Sequence, residues 1–254
     1  MKLDEKQVVE NWNELIRVVN ATFTGERKEK INKLLEHFSE RMSLAPASAK
    51  EYYHCAYPGG YVEHVLHVIT GAKLLKDAWK KMGCDINFTD EELVFSALFH
   101  DLGKVGDMTE DTYIPQEDQW RRNKLGEIYT FSDKLDFMQV TDRTFFLLSQ
   151  FGITYSPAEF LAIRLADGLY AEYNKSYLIT YNQNQIMKSN LAYILHAADF
   201  MAMHSEYDAW KKSEVEELQP EKVKAKYAKK PTLAEIAKAT LPNNSKLLDF
   251  DNLF

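Results

Sequence analysis

The chain lacks most features of a secreted, membrane-bound or duplex-binding protein. It has two cysteines among 254 residues, Cys55 and Cys84, which provide no disulfide framework. No apolar run approaches the roughly 20 residues needed to span a bilayer, and the polar segment at residues 1–15 does not read as a signal peptide. A net charge of -7 argues against broad electrostatic capture of duplex nucleic acid. We therefore expect a protein of the reducing cytoplasm with no membrane partner.

Helical periodicity dominates the hydrophobic pattern. A content of 45% hydrophobic and 13% aromatic residues is enough to bury a substantial core. The pattern predicts an all-α fold in which N-terminal helices (residues 1–50) pack on a core domain (51–210). The extension at 211–254 alternates acidic and basic blocks, which is typical of a loosely attached helix with a solvated face. The predicted helices include residues 5–22, 28–42, 60–82, 143–151 and 156–173.

His64 lies on the apolar stripe of the helix predicted over residues 60–82. Apolar positions follow it at helical spacing, whereas the lysines of this segment fall mostly on the other face. The imidazole should therefore point into the core. His67, three residues later, lies at the border of the stripe, and we interpret it as structural.

The pair His100-Asp101 lies at the end of the next predicted helix. Asp90 is available as its N-cap, acids fill its first turn, and Gly103 is suited to its C-terminal cap. Neighbouring helical residues project about 100° apart, so both side chains can reach one ion only where the helix ends. The stop at Gly103 predicts that geometry.

A further acid, Asp199, lies on a largely apolar helix much later in the chain. A buried carboxylate needs a partner, because desolvating it alone is costly. Any one of these residues by itself would more often be a core or capping residue than a metal ligand. Together, two imidazoles and two carboxylates on three helices favour a mixed nitrogen and oxygen site for a divalent metal.

At these residues the sequence resembles the HD superfamily of metal-dependent phosphohydrolases, whose pattern is H…HD…D. The sequences HDLGK and YPGG also resemble that family, and the likeness covers roughly residues 53–204. The resemblance implies an HD-domain helical bundle and a metal-dependent phosphohydrolase. The metal-binding residues it implies are His64, His100, Asp101 and Asp199.

The chain departs from the two-metal members of that family. No histidine occurs between His100 and His196, and Ala166 stands where a histidine is expected, which leaves Asp167. Cys55 stands where many relatives have histidine, with His54 one residue away. We therefore expect a single ion. Mixed His and carboxylate ligation suits Mn, Fe, Co, Ni or Zn, and Mg is a further candidate for the ion.

The chemistry implied by the resemblance is hydrolysis by a metal-activated water. Asp101 is a candidate general base, because it adjoins the metal and has a carboxylate oxygen to spare. Lys104, on the turn after the pair, is a candidate for neutralising phosphate charge. Asp167 is a further candidate for contact with substrate.

A polar, aromatic and partly extended insertion follows the HD pair, over residues 109–137. An insertion of this length beside a candidate site more often has a function than not. Arg121 and Arg122 could face a phosphate, while Trp120 or Tyr129 could stack on a base. An exposed, ordered loop with surface charges explains the same residues equally well.

Three functional readings follow from these residues. The favoured one is hydrolysis of a phosphomonoester or phosphoanhydride of a small, nucleotide-like substrate. The second is a 3′-to-5′ exonuclease or phosphodiesterase on single-stranded nucleic acid, as in bacterial exoribonucleases of the HD superfamily. The acidic composition and the lack of room for an upstream OB-fold argue against it. The third is a non-catalytic nucleotide-binding module.

Overall fold

The computed structural model describes residues 3–217, with side chains described through residue 213. Within those residues the fold is all-α, as predicted, with one two-stranded sheet. The helices are α1 (Glu5–Thr22), α2 (Gly25–His37), α3 (Ser39–Leu44), α4 (Gly60–Lys81), α5 (Asp90–Phe99), α6 (Gln119–Leu125), α7 (Val140–Gln150), α8 (Pro157–Arg164), α9 (Lys175–Leu178) and α10 (Leu191–Glu217). The antiparallel strands are β1 (Tyr113–Pro115) and β2 (Tyr129–Phe131).

The N-terminal helices bury their apolar faces in the main core. Helix α1 begins at a capping box formed by Asp4 and Gln7 and packs against α3, α4 and α5. The single helix predicted over residues 28–42 is wrong in its start and in its continuity. It starts earlier and is interrupted at Phe38, where the chain turns the fully buried ring against His37 and Phe151.

Both predicted ends of α5 need correction. Its N-cap is Thr89, which forms a capping box with Glu92, and Asp90 is instead the first helical residue. Gly103 does not cap the helix in a left-handed conformation, because α5 ends at Phe99 and Gly103 lies in a 3-10 turn. Glycine is required there for close packing, since a Cβ atom would clash with the Val140 carbonyl at the start of α7.

The insertion after the HD pair forms a small hairpin. Tyr113 pairs with Phe131 at one end of the sheet, so the extended pieces predicted in this region are confirmed. Helix α6, between the two strands, was not predicted. The residues that define this helix lie at its two ends. Asp118 accepts hydrogen bonds from two backbone amides of the first turn, and Gly126 (φ 61°) ends the helix.

Helix α8 starts as predicted and ends early. Ser156 and Glu159 form a capping box at its start, but the helix stops at Arg164 rather than continuing to residue 173. Short 3-10 turns follow, and the ring of His196 on α10 packs so closely on Gly168 (φ 53°) that a Cβ atom would not fit. Close packing of this turn on α10 therefore replaces the predicted helix.

Residues up to Lys211 form one compact unit that is distinct from the segment beginning at Lys212. Most of the predicted 211–254 extension, from residue 218 onward, lies outside the described residues. No helix in the described part of the chain combines the length and apolar character needed to cross a membrane.

Two ion pairs join Arg27 of α2 to Glu91 of α5 and to the buried Glu159 of α8. The Arg27 guanidinium contacts Glu91 at 2.8 Å and Glu159 at 2.7 Å, and it lies 4.1 Å from the centre of the Phe95 ring. The Glu159 side chain is only 1% exposed. It therefore depends on Arg27 for compensation of its charge.

We expect Arg27→Ala to lower the free energy of unfolding by about 3 kcal/mol, because it leaves the Glu159 carboxylate buried without its partner. Urea denaturation followed by circular dichroism measures the change. Arg17→Ala is the matched control, because Arg17 pairs with Glu14 on the solvent-exposed face of α1. Equal midpoints for the two variants would show that the buried pair does not stabilise the fold.

Candidate metal centre

Helix α4 places His64 in the interior. The chain enters the helix through Gly59 (φ 85°) and Gly60, where a Cβ atom would clash with the Cys55 carbonyl. The imidazole is fully buried. Its Nδ1 lies 3.0 and 3.1 Å from the two carboxylate oxygens of Glu206, so Nδ1–H donates and Nε2 faces the other side.

His100 and Asp101 lie where the chain leaves α5, as the sequence predicted. His100 keeps helical angles, whereas Asp101 has φ -111° and ψ 11°, so the chain leaves the helix between them. The Nδ1–H of His100 donates to the Ala97 carbonyl at 2.8 Å. His100 therefore also presents its Nε2 to the centre, beside the Asp101 carboxylate.

The four predicted ligands converge on one point. The two Nε2 atoms of the histidines lie 3.4 Å apart. Asp101 Oδ2 lies 3.6 Å from His64 Nε2 and 3.4 Å from His100 Nε2. Asp199 Oδ1 lies 3.2 and 3.8 Å from the same two nitrogens.

Three of these five separations match those of donor atoms around one cation, and the other two, 3.6 and 3.8 Å, are slightly longer. Metal bonds of about 2.1 Å place neighbouring ligand atoms about 3.0 to 3.4 Å apart in octahedral or tetrahedral geometry. The ligand atoms of His64, His100 and Asp101 all lie within 4.8 Å of one another. Asp199 is not part of that trio, but its Oδ1 lies within 3.8 Å of both imidazoles. This buried cluster could hold a metal ion.

The electrostatics of the cluster also fit a cation. Burial opposes a charge on His64, but the Glu206 and Asp199 carboxylates outweigh it and raise the pKa of this imidazole to about 10. Burial likewise raises the pKa of the Asp199 carboxyl, yet the two histidines hold it well below its usual range. A metal ion and a proton therefore compete for the same Nε2 lone pair.

Lys104 lies directly beside the cluster. Its Nζ is 2.6 Å from Asp101 Oδ2, the same oxygen that faces both histidines. Burial opposes the ammonium charge, but Asp101 outweighs it and raises the pKa of Lys104. Asp167 is exposed nearby, and its carboxyl pKa is raised because neighbouring atoms reduce its hydration and Asp101 repels its charge.

The two arginines predicted to bind substrate have partners within the insertion. Arg121 Nε contacts Glu127 at 2.6 Å, and Arg122 donates to the Gln116 carbonyl at 3.1 Å. Neither forms a hydrogen bond or ion pair with the cluster in the described part of the chain. Their role as phosphate ligands stays a prediction.

Lys104 also lines a cleft of about 330 Å³. Tyr113 and Tyr129 of the hairpin line it, together with Arg41 of α3, so Tyr129 is placed where an aromatic contact with substrate is feasible. Trp120 is not among its lining residues. A larger cavity of about 520 Å³ is lined by Lys76 and Asp90. None of the four predicted metal ligands lines either space, and Lys104 is the predicted site residue that lines the smaller one.

Sequence reasoning missed Glu206 and gave no role to His54. Glu206 follows Asp199 by seven residues on α10, two turns along the same face, so helical spacing could have identified it. The His54 ring lies 4.7 Å from that of His64. Neither of its nitrogens has a hydrogen-bond partner within residues 3–213, and the adjoining Cys55 has a left-handed backbone (φ 44°).

His67 contacts Glu206 rather than the cluster, with its Nδ1 2.8 Å from Glu206 Oε1. The described chain thus contains a buried His/Asp cluster backed by a glutamate, an arrangement able to hold a metal ion. Comparisons with protein-family models, curated proteins and solved structures gave no significant match.

Proposed function

We propose that the protein is a metal-dependent phosphohydrolase of the HD type. Its substrate is a phosphomonoester or phosphoanhydride of a small, nucleotide-like molecule. The observation that carries the proposal is the convergence of His64, His100, Asp101 and Asp199 from three helices, with both Nε2 atoms facing the two carboxylates.

The tautomers support one divalent ion at this point. Both histidines donate their Nδ1–H elsewhere, so two Nε2 lone pairs and two carboxylates surround the same space. Mn, Fe, Co, Ni, Zn and Mg all accept such donors to different degrees. The bound ion would supply a Lewis acid for a phosphate oxygen and lower the pKa of a coordinated water.

Lys104 and the adjoining cleft support a phosphorylated small molecule as substrate. Lys104 lines the cleft and its ammonium group lies 2.6 Å from Asp101, so it could pair with a phosphate oxygen of a molecule bound there. The volume of about 330 Å³ suits a small ligand. Tyr113 and Tyr129 offer aromatic faces on which a base could stack.

Asp101 is proposed to accept the proton of the attacking water. Its carboxyl pKa is lowered, because Lys104 and the two histidines outweigh the effect of burial, so the carboxylate is ionised at neutral pH. Lys104 would move from Asp101 to a bound phosphate. Because Oδ2 faces both histidines, the other carboxylate oxygen, Oδ1, would be the one that accepts the proton.

We expect purified protein to bind one equivalent of a divalent metal and to release phosphate from nucleotides in a metal-dependent manner. Chelation should abolish turnover, and readdition of Mn²⁺, Co²⁺, Ni²⁺ or Mg²⁺ should restore it. The assay is a panel of nucleoside mono- and triphosphates plus a phosphodiester reporter and single-stranded RNA, run on metal-analysed protein.

The pattern of activity separates the functional readings. Cleavage confined to RNA or the diester reporter would replace the nucleotide substrate with a nucleic-acid one. Tight nucleotide binding without turnover under any of these metals would indicate a binding module and contradict the hydrolase proposal.

A further inference from the structure

Glu206 is a buried acid directly behind the candidate metal centre. Its side chain is 3% exposed, and it lies two helical turns beyond Asp199 on α10. Asp199 contacts the Nε2 side of His64, whereas Glu206 contacts the Nδ1 side of the same ring. One helix therefore holds this imidazole from both of its nitrogens.

Two histidines hold the Glu206 carboxylate in place. His64 Nδ1 lies within hydrogen-bond distance of both oxygens, and His67 Nδ1 lies 2.8 Å from Oε1. Because His64 and His67 are one turn apart on α4, the carboxylate bridges that turn to α10. This arrangement limits rotation of both the carboxylate and the His64 ring.

The chemical consequence concerns the His64 tautomer. A carboxylate can only accept a hydrogen bond, so His64 must keep its proton on Nδ1 when the ring is neutral. The Nε2 lone pair is then the one available to a metal. The negative charge of Glu206 also increases the basicity of that nitrogen.

The same residues suggest a different use, a second cation site. The ligand atoms of His54, His64 and Glu206 also lie within 4.8 Å of one another. A cation there would have to displace the protons that His64 and His67 donate to Glu206. It would also require His64 to bind metals through both nitrogens as an imidazolate. The hydrogen bonds favour a positioning role for Glu206.

We propose that Glu206 is a positioning residue that sets the tautomer and orientation of His64 and thereby the metal affinity of the centre. This inference rests on the proposed function, because it concerns the same ion. It adds a residue that does not contact the metal or the substrate.

The test compares metal affinity in a graded series of Glu206 variants. We expect Glu206→Gln to weaken Zn²⁺ or Mn²⁺ binding about 10-fold, because the amide oxygen can still accept from Nδ1 but carries no charge. We expect Glu206→Ala to weaken it up to about 100-fold, because both acceptor and charge are lost. Competition with a chromophoric chelator measures the dissociation constants without reference to turnover.

A second measurement reads the tautomer directly. In the Zn²⁺-loaded wild-type protein, ¹⁵N chemical shifts of His64 should show a protonated Nδ1 and a metal-bound Nε2. In Glu206→Ala the chemical shift of the Nδ1 proton should no longer be that of a hydrogen-bonded proton. A general loss of packing would affect many residues, whereas this change should be confined to His64 and His67.

Glu63→Gln is the matched control. Like Glu206, Glu63 is an acid close to His64, which it precedes on α4. Its carboxylate, however, accepts a hydrogen bond from the Tyr57 hydroxyl at 2.5 Å. It should leave metal affinity unchanged. If Glu206→Ala bound the metal as tightly as wild type, the positioning role would be overturned and the metal centre would stand. If wild-type protein bound no divalent ion, the proposed function and this inference would both fall.

Discussion

Asp101→Ala is expected to eliminate bound metal and turnover together. The Asp101 carboxylate faces both imidazoles within 3.6 Å and is also the proposed base, so a single change removes a ligand and a proton acceptor. It further leaves Lys104 beside two histidines without its 2.6 Å partner. The uncompensated positive charge of Lys104 should repel a divalent ion even where three ligands are retained.

The measurement is metal content by mass spectrometry alongside phosphate release, on protein of verified fold. We expect less than about one tenth of an equivalent of metal and a fall in turnover of at least about 10⁴-fold. Asp142→Ala is the control, because Asp142 is an exposed acid in the first turn of α7. Full activity of metal-analysed Asp101→Ala protein would refute the proposed mechanism.

Lys104→Met is expected to have the second largest effect on turnover, but without loss of the bound metal. The bound metal should be retained, because Lys104 is not a ligand and its removal lowers the positive charge around the site. Turnover should fall about 10² to 10³-fold, the usual cost of losing one group that stabilises developing charge. Loss of the ammonium group also removes the main favourable charge next to Asp101, so the pKa of that carboxyl should rise.

Steady-state kinetics and metal analysis of the same preparation check this prediction. Lys104→Arg should recover part of the activity, since it keeps a positive charge near the phosphate. Lys76→Met serves as the control, because Lys76 pairs with Asp90 and lines the separate cavity between α4 and α5. Turnover of Lys104→Met within about 3-fold of wild type would exclude a role for Lys104 in phosphate binding.

The sequence predicted the helices that carry the site and two of their physical features. The apolar stripe around His64 predicted an inward-pointing imidazole, and the ring is fully buried. The requirement that the chain leave the helix at the HD pair corresponds to the changed angles of Asp101. The capping box of α8 could also be recognised, because it depends only on residues three apart.

Local signals were less reliable where several residues could serve the same role. Both Thr89 and Asp90 can cap a helix, and the choice of Thr89 follows from its reciprocal pairing with Glu92. The early end of α8 depends on a histidine of α10 packing against Gly168, a contact between distant parts of the chain. No pattern within α8 contains that information.

The amino-acid sequence by itself determined the all-α class and the residue types that could bind a cation, because helical periodicity and side-chain chemistry are local properties. Only the tertiary structure decided which groups share the site. It paired Glu206 with His64 and brought Asp199 against both His64 and His100. The reason is physical: these contacts depend on the distances and angles between packed helices, which residues far apart in the chain set together.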